Sequence, residues 1–166
     1  MVAASKFTIC LHRAKIKYFQ SLNAVLGKIG DMEAVGLILS LVATNCFPIV
    51  LSGLEACMLT NAQVKSLEYA YNAVFVKIFK SFDANTIRSC QFHTGILPAG
   101  HAIALARIKF LSSLTMGTDS PPGFLCRVVG GEELLQLTTM YDVNLPASNL
   151  SIKRNVWSVF TNEQNV

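Results

Sequence analysis

Charge is what this sequence has little of. Asp, Glu, Lys and Arg make up 14% of its 166 residues, against about a quarter in an average soluble domain, and hydrophobic residues reach 52%. That balance excludes a disordered chain and a charged tail. The 10 glycines and 5 prolines are too few and too scattered for a collagen-like repeat. The 5 cysteines are odd in number and widely spaced at Cys10, Cys46, Cys57, Cys90 and Cys126. This excludes a disulfide framework and points to reduced thiols in an intracellular protein of the cytoplasm or nucleus. The basic residues Lys6, His12, Arg13, Lys15 and Lys17 interrupt the start of the chain, so no secretory signal is expected there. Too few polar residues remain to cover a free-standing particle, so a membrane or a larger protein is expected over part of the surface.

Catalytic motifs are missing as well. There is no Gly-rich phosphate loop, nucleophile elbow or His-Glu-x-x-His. His12, His93 and His101 are each isolated in sequence, as are the carboxylates Asp119, Glu132, Glu133 and Asp142. Cys90 and His93 stand at ligand spacing, but a structural zinc needs four ligands, so no metal is expected. The chain reads as neither an enzyme nor a cofactor protein, and no small-molecule substrate is expected.

What is present is helical periodicity. From Lys6 to Ile29, the residues Phe7, Leu11, Tyr18, Leu22 and Ile29 fall on one stripe at about 100° per residue. Gly30 then marks a C-cap, and Asp31 and Glu33 precede a second helical stretch. From Ala34 to Leu54 there is no charged residue, which makes this stretch a candidate membrane span. Pro48 predicts a break near Cys46-Phe47 and two shorter buried helices instead. Thr60 and Gln63 form a capping box that opens a long helix with Val64, Leu67, Tyr71, Val74, Phe75, Ile78 and Phe79 inward. Asp83 and Asn85 open a shorter helix that ends near Gly95. A helix over His101 to Leu114 places Ile103, Leu105, Ala106, Phe110 and Leu111 inward, with Gly117 closing it.

Thr118 to Gly123, with its paired prolines, reads as a linker, and Gly130-Gly131 as a turn before a short helix from Glu132 to Tyr141. Ser148 or Ser151 caps a last helix that carries Ile152, Val156, Trp157 and Phe160. The expected fold is all-α: an irregular bundle of about five helices over residues 1–117, a linker over 118–123, and a small helical C-terminal appendage over 124–166.

One face of the first helix is basic. Lys6, Arg13, Lys17 and Lys28 share a stripe away from the apolar one, suited to contacting several phosphates of a nucleic acid. Tyr69, Tyr71, Phe75, Phe79 and Phe82 offer rings for base stacking, but at helical spacing core packing is the expected role.

Several segments resemble the reverse transcriptases of LINE-type non-LTR retrotransposons. Phe19 to Gly30 is similar to the helix that follows the polymerase core in that family. Cys46-Phe47-Pro48 through Gly53-Leu54-Glu55-Ala56-Cys57 is similar to its Cys-x-Pro-x-x-x-Tyr-Gly-x-Glu-x-Cys pattern, with Ser52 in place of the aromatic residue. Phe75 to Lys80 and Cys90 to Pro98 resemble the family too. The resemblance implies a thumb- and connector-like region that follows the palm. It also implies a truncated fragment without palm or endonuclease, whose partners are the missing polymerase domains and whose residual capacity is weak contact with a nucleic-acid backbone. The family's paired aspartates have no counterpart, since Met140-Tyr141-Asp142-Val143 holds one. Two other readings are a small protein with Ala34–Leu54 as a single membrane span, and a helical protein-interaction module.

Overall fold

The periodic apolar stripes become helices in the computed structural model, which describes residues 11–29, 35–57, 59–116 and 121–164. In chain order these are α1 (Leu11–Ile29), α2 (Val35–Asn45), α3 (Phe47–Leu51), a 3-10 turn (Leu54–Ala56), α4 (Asn61–Phe79), α5 (Ala84–Thr94), α6 (Ala99–Met116), α7 (Pro121–Met140) and α8 (Asn149–Gln164). The fold is all-α, with no strand among the described residues. Phe7, Gly30, Asp31, Glu33 and Gly117, which were assigned a stripe position or helix ends above, lie outside the described residues. The chain divides into two units, Met1–Ile96 and Leu97–Val166.

In the first unit, α1 buries Leu11, Tyr18 and Leu22 against α2, α3 and α4. The uncharged stretch does break where Pro48 predicts. Cys46 separates α2 from α3, and the proline sits in the first turn of α3, where its missing N–H costs nothing. Gly53 follows at φ +80°, a left-handed conformation that turns the chain into the 3-10 turn without Cβ strain. Rings stack at the centre. Phe47 lies 3.9 Å from Tyr71 and 6.4 Å from Tyr18, nearly parallel to both, and the Tyr18 hydroxyl donates to the Tyr71 carbonyl at 3.3 Å. Burial drives both phenols well above their usual pKa range, so they stay neutral. The capping box at Thr60 is present: the Gln63 N–H donates to Thr60 Oγ1, and the Thr60 N–H donates to Gln63 Oε1. Asp83 caps α5 by accepting from the Thr86 amide and hydroxyl, which hold its carboxyl below the usual range.

In the second unit, α6 packs on α7 and α8, and the division falls at Ile96/Leu97, whereas a boundary was expected at residues 118–123, of which 118–120 lie outside the described residues. Pro121, Pro122 and Gly123 begin α7 instead of forming a linker, because proline is tolerated in a first helical turn. Gly130-Gly131 is not a turn either but lies inside α7. A Cβ at Gly130 would stand 3.1 Å from Leu111 Cδ2, so the absent side chain serves the close approach of α6. Glycine in a helix otherwise costs about 1 kcal/mol. Ser148 caps α8, accepting from the Ser151 N–H at 3.2 Å. Ile152, Val156 and Phe160 of α8 join Ala104, Ile108 and Tyr141 in a buried cluster.

The inward face of α6 is rotated from the expected one. Ile103, Ala104, Arg107, Ile108 and Leu111 are buried, whereas Leu105, Ala106 and Phe110 are half-buried.

Candidate nucleic-acid interface

A helix that is basic on one stripe and apolar on another can attach itself to a core and still present its cations. In α1, Leu11, Tyr18 and Leu22 are held in the core, while Arg13, Lys17 and Lys28 are exposed. At about 100° per residue these three fall within about 60° of one another, with Gln20 exposed beside them. Lys6, expected on the same stripe, lies outside the described residues.

No carboxylate occurs in α1, and no ion pair or hydrogen bond among the described residues engages Arg13, Lys17 or Lys28. Lys15, on another side of the helix, donates to Ser66 Oγ at 2.7 Å and ties α1 to α4. Residues 1–96 carry nine Lys/Arg against five Asp/Glu, and residues 97–166 carry five of each, so the whole net charge of +4 belongs to the first unit.

The aromatic residues divide. Tyr71 and Phe75 are core residues, as expected, but Tyr69 is 79% and Phe82 84% exposed, and Phe79, expected inward, is exposed at 36% at the end of α4. Tyr69 lies about 200° around α4 from Leu67, opposite the buried stripe, and Phe82 follows the helix end. A count of aromatic residues could not separate the two sets; helical phase separates Tyr69 from Tyr71 and Phe75 but not Phe82, which lies beyond the helix.

Elsewhere the chemistry is structural. Cys46 is buried with Ser21 Oγ 3.3 Å from its sulfur, and Cys46, Cys57 and Cys90 form no disulfide. Among the described residues, no three His, Cys, Asp or Glu side chains come close enough to hold a metal ion.

A polar cluster that sequence reading missed lies in the second unit. His101 Nδ1 stands 3.0 Å from the Tyr141 hydroxyl, and His101 Nε2 stands 3.3 Å from Glu163 Oε2. The tautomer protonated on Nε2 satisfies both contacts, donating to Glu163 and accepting the phenol proton. Burial, with the Glu163 charge second, pushes the Tyr141 phenol up to about 12. The phenol is closed off from solvent and joins α6, α7 and α8 as a structural link. Asp142, in the turn after α7, accepts from Asn155 Nδ2 through its backbone carbonyl.

Val35–Ala56 is the stretch among the described residues long and apolar enough to cross a membrane, and 33% of its most apolar window is buried. Leu37 and Val35 of α2 are exposed. Ser40 and Thr44 share the Leu37 side of the helix, and Thr44 turns its hydroxyl onto the Ser40 carbonyl at 2.8 Å.

No protein-family model, curated protein or solved structure matches this chain.

Proposed function

We propose that this chain is a post-palm, thumb-like helical region of a LINE-type reverse transcriptase, without polymerase activity of its own, whose first helix contacts the phosphate backbone of a primer–template duplex. The observation that carries the reading is the exposed, acid-free stripe of Arg13, Lys17 and Lys28 on a helix otherwise anchored in the core. Cations in this arrangement neutralise phosphates, release counterions and read no sequence. The polymerase domains of the parent protein are the natural partners of its apolar surface, and the cytoplasm or nucleus is where the assembly would work.

The test is binding of a primer–template duplex as a function of salt. Replacing Arg13 and Lys17 together by Ala lowers the slope of log affinity against log salt by about 2 and weakens all duplex sequences alike. An unchanged slope, or no binding by the parent chain at low salt, overturns the reading.

A second reading is favoured by the low burial of the apolar window within Val35–Ala56, with that stretch inserted in a bilayer. It predicts that the chain stays in the membrane pellet after carbonate washing and is extracted from it by detergent, whereas the first reading predicts release by carbonate or an aggregate that detergent does not dissolve.

A further inference from the structure

We propose that the first unit carries a binding site for a small planar aromatic anion, on the side of α4 turned away from the core. Leu67, Ala70, Tyr71, Val74 and Phe75 occupy the buried side of this helix, and a period of 3.6 residues puts Tyr69, Asn72 and Val76 on the other side with Lys77 at its edge. There they line a cleft of about 530 Å³ together with Phe19 of α1 and Phe82 of the segment before α5. That volume lies within the range of small-ligand sites, which are mostly apolar with a few placed polar groups.

The walls specify the chemistry of the occupant. Phe19, Tyr69 and Phe82 give three aromatic walls, and the rings of Tyr69 and Phe82 are left almost wholly in water. A flat aromatic ligand would cover them at stacking distance. Lys77 donates to Asn23 Oδ1 at 2.6 Å, a neutral acceptor that leaves the ammonium charge uncompensated. Asn72 Oδ1 already accepts from Gln91 Nε2 at 2.8 Å, which fixes the amide and leaves its N–H groups as donors.

No carboxylate lines the cleft. Asp83, next to Phe82, is directed at the Thr86 amide and hydroxyl at 2.7 and 2.8 Å. Rings, free donors and one cation, with no opposing acid, select a planar ring system bearing an anionic group. The site is independent of the duplex reading, since it uses none of Arg13, Lys17 and Lys28.

The probe is 8-anilinonaphthalene-1-sulfonate, followed by its fluorescence in a titration of the whole chain, with the neutral N-phenyl-1-naphthylamine as a second ligand. The expected result is saturable binding of one equivalent. Phe82→Ala and Tyr69→Ala, both at exposed positions, weaken the two probes by about tenfold. Lys77→Met weakens the sulfonate by about threefold to fivefold and leaves the neutral probe unchanged. Non-saturable binding, sulfonate affinity unaltered in the Phe82 and Tyr69 variants, or an equal loss of both probes in Lys77→Met overturns the proposal.

Discussion

Phe75→Ala is expected to destabilise the chain by about 3–5 kcal/mol, against a total stability of about 5–15 kcal/mol for a domain of ordinary size. Phe75 has no exposed surface, and its ring stacks on Phe79 at 6.4 Å with nearly parallel planes. Truncation removes its transfer energy and leaves a cavity that the rigid neighbours on α4 cannot close, because Val74 and Tyr71 are themselves buried and fixed. The control is Phe82→Ala. Its ring is 84% exposed, so the same chemical change is expected to stay within about 0.5 kcal/mol. Urea unfolding followed by far-ultraviolet circular dichroism separates the two. Equal losses in both variants would mean that Phe75 is not the core residue described.

The contrast between these two phenylalanines marks how far the sequence carries. Wherever a helix is amphipathic and its ends are chemically punctuated, the sequence alone was enough. The break at Cys46 ahead of Pro48, the Thr60 capping box, the Asp83 cap and the inward face of α8 were all legible. Each depends on local chemistry within one or two turns. The misses have two sources. Pro121, Gly130 and Gly131 were read by propensity as linker and turn. The residue that decides their role, Leu111 beside Gly130, lies on another helix and cannot be seen from a window of sequence. The unit boundary followed the same error, since a linker was expected where α7 begins.

The second source is polar contact between residues far apart in the chain. His101, Tyr141 and Glu163 are separated by tens of residues, and only the packing of α6 against α7 and α8 brings them together. For the basic stripe of α1, the helical phase of Arg13, Lys17 and Lys28 was legible, as was the absence of Asp and Glu from that helix. The cleft beside Lys77 was not, because its walls come from α1, α4 and the segment before α5.

Arg107 is the plainest case of a charge on a buried face, and the second large effect follows from it. It is 8% exposed and forms an ion pair from α6 to Glu133 on α7, whose side chain is about a quarter exposed. Glu133→Ala removes the carboxylate while the guanidinium stays buried. The expected loss is about 2–4 kcal/mol, somewhat below the range for breaking a fully buried pair because water reaches Glu133. Replacing both partners, Arg107→Met with Glu133→Leu, removes the charge together with its desolvation cost. It is expected to return stability to within about 1 kcal/mol of the parent. Trp157, the chain's one tryptophan, packs against the buried cluster of the second unit and gives the fluorescence signal for urea unfolding of both variants. A double variant well below the parent would show that the pair is a net source of stability. A double variant level with the parent would show that α6 and α7 are held by apolar contact, with the ion pair serving to neutralise a charge that the packing has buried.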